Sequence, residues 1–180
     1  TYNSGEAVVI VNNYRRNDWK PYVFKTENFG NSWKAIASEE NIWGYALSYA
    51  QDPVEPKLQF LGTEFGLYVT TDGSKTWTKW TNGYPTVSTM DIKIHPREHD
   101  LVIGTFGRAA YILDDIRPLR EIASSSENLL EKQLHFFEPP TAVLAINRQA
   151  AGTRFEANAI FSGENRRNGA MLTFVFNSNS

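Results

Sequence analysis

The sequence predicts an all-β fold, a partial β-propeller of four-stranded antiparallel blades followed by a short helix and an irregular connector. Three observations carry this expectation. The stretch Thr70-Thr71-Asp72-Gly73-Ser74-Lys75-Thr76-Trp77 lies between two strand-like runs, Leu67-Tyr68-Val69 and Thr78-Lys79-Trp80, and Asp-Gly between β-formers is a strong hairpin signal. The same pattern occurs earlier as Thr26-Glu27-Asn28-Phe29-Gly30-Asn31-Ser32-Trp33, which places Trp33 and Trp77 44 residues apart. A hairpin returning at that interval has the period of a blade of roughly 40–50 residues. Finally, five tryptophans and 13% aromatic residues suit sheets that pack through large rings.

Taken in order, Glu6-Ala7-Val8-Val9-Ile10-Val11-Asn12 reads as a strand buried on both faces. Residues 14–20 form a loop, Pro21 opens a strand over 22–26, and the first turn motif leads to an outer strand, 33–36, and a long loop, 37–44. A complete unit comes next: strand 45–51, turn 52–56, strand 57–63, turn 64–66, strand 67–71, the second motif and strand 76–80. Residues 81–87 cross to a third unit beginning at Met90. There Gly104-Thr105 repeats Gly62-Thr63, and Tyr111 lies 43 residues after Tyr68. The turn motif is absent from this unit, and Asp114-Asp115-Ile116-Arg117-Pro118 leads out. Ser124-Ser125-Ser126-Glu127 fits a capping box and predicts a helix from Ser124 to about Lys132. Residues 134–137 are expected as the outermost strand of the last blade, 148–169 as an irregular connector, and 170–176 as a strand without a partner.

The expected division is therefore residues 1–138 as propeller blades and 139–180 as connector and start of a further β domain. One partial, one complete and one terminal unit fall short of the roughly 4–8 blades that close a propeller, so a fragment of a longer protein is expected. In the motifs, Asp72 and Asn28 accept backbone N–H groups of their own turns, and Gly73 and Gly30 supply a backbone that a Cβ would oppose. Thr26 and Thr70 open the turns, and Trp33 and Trp77 are read as core residues.

These motifs resemble the Asp box, or BNR repeat, Ser/Thr-x-Asp-x-Gly-x-Thr-Trp. Thr26, Gly30, Ser32 and Trp33 match in the first copy, with Asn28 in place of the acid. Thr70, Asp72, Thr76 and Trp77 match in the second, with the glycine displaced to Gly73. A narrower resemblance rests on Gly62-Thr63-Glu64-Phe65-Gly66-Leu67-Tyr68-Val69, His95-Pro96-Arg97-Glu98-His99-Asp100-Leu101-Val102-Ile103-Gly104-Thr105 and Ile112-Leu113-Asp114-Asp115-Ile116. These look like bacterial sortilin-type BNR-repeat proteins, many of which carry a glycosyl hydrolase label. The likeness spans roughly residues 20–120. The chain departs from that family at Gly104-Thr105-Phe106-Gly107-Arg108-Ala109, where the family reads Gly-Thr-His-Gly-Arg-Gly. The resemblance implies an extracytoplasmic (periplasmic or secreted) propeller that binds carbohydrate or peptide. Its alternative is part of a glycoside hydrolase whose remaining catalytic loops lie on other blades. It also implies a β-sandwich after the stretch at residues 163–170.

Lys+Arg of 18 against Asp+Glu of 20 gives a net charge of −2, which leaves no basic footprint for nucleic acid. No apolar run is long enough to span a membrane, and any signal peptide is expected to have been removed. With no cysteine, disulfides and thiol chemistry are excluded. The spacing of His95, His99 and His135 matches no metal site, so neither a metal nor a cofactor is expected. Expected partners are an oligosaccharide or polysaccharide, or a peptide, and the remaining blades of a parent chain or another copy.

In an antiparallel meander the connections alternate between two ends. Parity sets Asp72 and Asn28 on one face with turns 52–56 and 96–100. The loops 14–20, 37–44, 64–66, 81–87 and 106–108 then fall on the other. Those loops hold Arg15, Arg16, Asp18, Trp19, Glu39, Glu40, Trp43, Glu64, Tyr84 and Arg108, and rings beside carboxylates suit a saccharide. Trp43, Glu64, Tyr84 and Arg108 are the ligand-binding candidates. Against this, Trp43 and Tyr84 read as packing between blades, and Glu64 and Arg108 as bracing their turns. The catalytic residues are unknown. Glu39, Glu40 and Glu64 are weak candidates for the carboxylate pair that glycosidase chemistry requires.

Overall fold

The computed structural model describes residues 2–142, 163–164 and 169–178. Among these, four antiparallel sheets of two to four strands and one α-helix form, with no closed barrel. This is the architecture of partial propeller blades. The first sheet holds β1 (Ala7–Asn13), β2 (Asp18–Thr26) and β3 (Lys34–Ala35) in that order. The second is a complete four-stranded meander of β4 (Ala46–Gln51), β5 (Gln59–Thr63), β6 (Gly66–Thr70) and β7 (Thr78–Trp80). The third holds β8 (Thr89–Ile94), β9 (Leu101–Thr105) and β10 (Ala110–Leu113). The helix α1 (Arg117–Ser124) comes next, and β11 (Leu134–Phe136) pairs with β12 (Phe174–Phe176) in the fourth sheet.

The core lies between consecutive sheets because successive side chains of a strand point to opposite faces. Along β5, Leu61 joins Val23, Ile42, Ala46 and Tyr68 against the first sheet. Its neighbour Phe60 joins Leu67, Ile92, Leu101 and Ile103 against the third. The middle sheet is thus apolar on both faces. Gly62 brings the third sheet close, since a Cβ there would lie 2.6 Å from the Thr89 carbonyl oxygen. Ser48 Oγ donates to that same oxygen at 2.9 Å. Trp77 ties the middle sheet to the first, its indole N–H donating to the Ile36 carbonyl at 2.7 Å.

The two turn motifs fold alike. Asp72 Oδ1 accepts from Thr70 Oγ1 (2.7 Å), Lys75 N (2.9 Å) and Thr76 N (3.0 Å), and Oδ2 accepts from Thr76 Oγ1 (2.6 Å). Asn28 Oδ1 likewise accepts from Thr26 Oγ1 (3.1 Å) and Ser32 N (2.9 Å), while its Nδ2 donates to Ser32 Oγ (2.9 Å). The amide therefore reproduces the carboxylate's role by reversing one hydrogen bond. Both turns carry two residues of positive φ, Phe29 and Gly30 in one, Gly73 and Ser74 in the other.

The end of the third unit is fastened by a buried ion pair. Arg120 on α1 forks onto Asp52, its Nε 3.0 Å from each carboxylate oxygen and Nη2 2.8 Å from Oδ2. Asp52 is fully buried, and its Oδ1 also accepts the amides of Val54 (2.8 Å) and Glu55 (2.7 Å). Arg120 Nη1 lies 2.9 Å from His99 Nδ1. A guanidinium can only donate, so that ring nitrogen accepts.

Several expectations are corrected. The helix ends at Ser124 instead of starting there. Pro118 sits in its first turn, where its missing N–H costs nothing. The serines break the helix, because short hydroxyls compete for the backbone. A 3-10 turn at Leu129–Glu131, capped by the Asn128 side chain, is all that remains of the expected segment. Strand β2 begins at Asp18, inside the expected loop, because a 3-10 turn at Tyr14–Arg16 closes the hairpin early. β1 is half-buried on the side facing the second sheet and exposed on the other, with Val9 41% and Val11 47% exposed. Trp33 is 46% exposed: no described sheet precedes it to take the contact that Ile36 offers Trp77. The strand at residues 134–136 joins no blade but pairs with residues 174–176, which therefore have a partner. The expected connector, 148–169, lies almost entirely outside the described residues.

These contacts give two stability predictions. Replacing Asp72 by Ala is expected to cost about 1–3 kcal/mol, because turn amides lose their acceptor. Asp72→Asn, imitating Asn28, should cost clearly less in the same chemical denaturation measurement. Burial raises the Asp72 pKa, but hydrogen bonds from Thr76, Thr70 and Lys75 outweigh it and hold it below the ordinary 3.8. Its stabilisation is therefore complete above that pH and is lost as pH falls through the lower folded-state value. That acid-dependent component should be absent from Asp72→Asn.

Arg120→Met strands a buried carboxylate and should cost about 3–5 kcal/mol in the same measurement. Adding Asp52→Asn, which keeps the turn acceptor and removes the charge, should restore much of the loss. No recovery in the double variant would show that the pair's charge is not what binds the helix.

Candidate functional site

The middle sheet's turns sort the two ends of the structure. The Gly73 amide donates to the Lys57 carbonyl at 3.0 Å, and Ser74 Oγ donates to the Gln59 side chain. The second turn motif therefore lies beside the connection between β4 and β5. At the other end, Glu64 N donates to Tyr45 O (3.1 Å), Ser88 Oγ to Glu64 O (3.3 Å) and Phe106 N to Ser88 O (3.0 Å). These bonds join the loops preceding β4, β6, β8 and β10.

A groove of about 730 Å³ opens at this second end, between the first and second sheets. Asn17, Asp18, Trp19, Lys20 and Tyr22 line one side, and Glu39, Trp43 and Phe65 the other. Gly44 makes the second wall possible. Its φ of +81° belongs to the left-handed region, and a Cβ there would lie 2.6 Å from Phe65 Cδ2. Phe65 thus lies over bare backbone and stacks on Trp43, centroids 4.3 Å apart and planes at 23°. Lys79 Nζ lies 5.2 Å from the Trp43 ring centroid, a cation–π contact. Despite these neighbours Trp43 is 60% exposed.

The opposite wall is anchored by rings. Tyr14 stacks on Tyr45 with centroids 5.0 Å apart, and Trp19 meets the same ring at 5.6 Å. The Tyr45 hydroxyl donates to Glu64 Oε2 at 2.8 Å. Burial, then this bond to Glu64, pushes the Tyr45 pKa up to about 12, so the phenol stays a neutral donor. Asp18 Oδ2 accepts from Tyr22 OH at 2.8 Å and Asn13 Nδ2 at 3.3 Å, and Oδ1 from Lys20 N at 3.4 Å. The Tyr22 bond comes first in holding the Asp18 pKa below its ordinary value. Asp18 is accordingly an ionised acceptor in the groove. Glu39 stands in the open, 3.5 Å from Lys20 Nζ.

Of the four ligand-binding candidates only Trp43 lines this groove. Glu64 braces its own turn through Tyr45 and the Ser88 contact. Tyr84 is 7% exposed, with its hydroxyl 2.6 Å from Thr89 Oγ1 and its ring edge-on to Tyr111. It is a core residue between the second and third sheets. Arg108 is exposed and makes no hydrogen bond or ion pair among the described residues. Its turn is closed instead by Thr105, whose amide and hydroxyl donate to the Ala109 carbonyl at 3.1 and 2.6 Å. Of the catalytic candidates, Glu39 lies in the groove and exposed Glu40 is not among its lining residues. Glycosidase chemistry needs two carboxyl groups facing one another across the scissile bond, and Glu39 faces Lys20 instead. Tyr22, Phe65 and Lys79 carry no distinguishing signal in the sequence. Two of them lie on strands, where a ring or cation reads as packing.

No protein-family model matches the chain, and no curated protein does. Among solved structures it is similar to the GH74 enzyme of Niastella koreensis, with a TM-score of 0.53 and 22% identity over 63% of this chain. At that identity the likeness concerns the fold. The matched part spans 20% of the enzyme's length.

The contrast between Tyr84 and Trp43 gives a prediction. Tyr84→Phe should lower stability by about 1 kcal/mol, because a buried hydrogen bond to Thr89 is lost. Trp43→Ala, at an exposed ring, should shift the melting temperature less. Equal losses would show that Trp43 is a packing residue.

Proposed function

We propose that the chain is part of an extracytoplasmic Asp-box propeller whose groove between the first and second blades binds carbohydrate. The observation that carries this reading is the groove itself. Trp43, Phe65 and Trp19 offer apolar rings, while Asp18, Glu39 and Lys20 offer acceptors and a donor at the same surface. Sugar C–H faces stack on such rings and their hydroxyls need such partners. The volume of about 730 Å³ falls in the usual range of roughly 300–1,000 Å³ for small-ligand sites.

The two matched turns support the Asp-box reading. Together with the glycosyl hydrolase label of the proteins the motifs resemble, the fold shared with a GH74 enzyme leads us to favour a saccharide over a peptide. It also supports a second reading, part of a glycoside hydrolase, in which Asp18 and Glu39 are the carboxylates nearest to hand. The acceptor role of Asp18 and the open position of Glu39 favour binding over hydrolysis.

Calorimetric titration with neutral oligosaccharides tests this. Saturable binding is expected, weakened about tenfold or more by Trp43→Ala or Trp19→Ala and unchanged by Tyr84→Phe in the folded protein. Binding that survives both tryptophan substitutions would place the ligand elsewhere. Hydrolysis of the sugar, lost on Asp18→Asn or Glu39→Gln, would favour the enzyme.

A further inference from the structure

Between β7 and β8 the chain turns at Asn82 and Gly83, both of them exposed. Gly83 takes a φ of +66°, which an asparagine–glycine turn accommodates without a Cβ clash. Apart from its chain neighbours, no atom lies within 4 Å of where a Cβ would stand. The turn is held from both sides. The Trp80 indole N–H donates to the Asn82 carbonyl at 2.8 Å, and Tyr84 is buried. The groups that could react with each other are left out of these contacts. Among the described residues the Asn82 side chain and the Gly83 amide make no hydrogen bond.

Comparable positions in the two turn motifs are engaged. Asn28 Nδ2 donates to Ser32 Oγ at 2.9 Å, and Asn31 Nδ2 donates to the Asn28 carbonyl at 2.9 Å. At Asp72-Gly73 the carboxylate is held by hydroxyls and amides, and the Gly73 amide donates to the Lys57 carbonyl at 3.0 Å. A backbone nitrogen whose proton is held by a carbonyl is a poor nucleophile. A side chain fixed by its neighbours cannot turn back onto the main chain. Neither restraint applies at Asn82, where a side-chain amide and an uncommitted backbone nitrogen are neighbours at an accessible loop tip.

We propose that Asn82-Gly83 is a site of spontaneous covalent modification, where the asparagine closes to a cyclic imide that opens to aspartate and isoaspartate. The Gly83 amide gives its proton to hydroxide, and its nitrogen attacks Cγ of Asn82. The N–Cγ bond forms as the Cγ–Nδ2 bond breaks, and the nitrogen leaves as ammonia with a proton from water. Water then adds to either carbonyl of the imide. Opening at Cγ restores the original main chain and leaves aspartate. Opening at the α-carbonyl leaves isoaspartate, whose main chain runs through Cβ and Cγ. Nothing is oxidised or reduced, and water is the only co-reactant. Either product adds one negative charge to the chain. In isoaspartate the oxygen that accepts from Trp80 belongs to a free carboxylate. The main chain is then one carbon longer just before Gly83 and the buried Tyr84.

The whole chain is incubated at neutral pH in water enriched in heavy oxygen, beside a synthetic peptide of residues 78–86. Both are then mapped by mass spectrometry with a fragmentation method that separates aspartate from isoaspartate. Heavy-oxygen uptake at Asn82 is expected in the folded chain at a rate comparable to that of the free peptide. It should be accompanied by an acidic form on ion exchange, while Asn28 and Asn31 stay unmodified. Asn168-Gly169, whose asparagine lies outside the described residues, is read from its own peptide. Asn82→Gln, which keeps a side-chain amide but must close a larger ring, should lose uptake at that position without a change in melting temperature. Uptake in the free peptide but not in the folded chain would overturn the proposal, since the turn would then restrain the reaction. Equally fast uptake at Asn28 or Asn31 in the folded chain would overturn it too, because the hydrogen bonds there would be irrelevant.

Discussion

The buried pair of Arg120 and Asp52 is the constraint on which the arrangement of the later half depends. Among the described residues the third sheet has no fourth strand, and no turn motif finishes it. After β10 the chain forms a helix instead, and Arg120 carries a buried cation from that helix back to the first turn of the second unit. Two desolvated charges stabilise little by themselves, because their attraction is largely offset by the cost of leaving water. Their effect is on geometry: a planar fork meets a carboxylate whose remaining lone pairs are taken by the Val54 and Glu55 amides. One orientation of α1 satisfies all of these groups, and Ala123 and Ile116 are buried with it.

Between the sheets a different logic holds. Alternation along β5 gives both neighbours an apolar face. Where a larger side chain would keep them apart, Gly62 brings the backbones together. Trp77 and Ser48 then convert packing into specific contacts, each donating to a carbonyl of the adjoining sheet. The groove depends on the same interface, because its two walls belong to different sheets. Its width is set by how the first blade rests on the second, and substitutions in that core reach the site without touching it.

The repeat was legible because its signals are local. A threonine, an acceptor side chain and a glycine within five residues state a turn, and their recurrence states the blade. The strands of the second unit were legible too, since burial on both faces leaves continuous apolar runs. The misread elements lacked a local signal. A capping box at Ser124 is valid chemistry, but Arg120 four residues earlier answers to Asp52 far away in sequence. Trp33 and Trp77 hold the same place in the turn motif and have different neighbours in space. Tyr84 and Trp43 are both aromatic residues in loops, and only the course of the chain buries one and exposes the other. Parity located the end that carries the groove. It could not show that Phe65 lies over Gly44 or that Arg108 stays exposed.

The bond between Trp77 and Ile36 also makes the molecule optically asymmetric. Trp19, Trp33 and Trp43 are substantially exposed, so unfolding changes the water around them least. Trp77 is half-buried, with its N–H held by a carbonyl of the first sheet, and Trp80 donates to Asn82 within its own loop. A red shift of intrinsic fluorescence on denaturation therefore reports two half-buried rings, Trp77 in the core between the first and second blades and Trp80 in the core that α1 helps to cover.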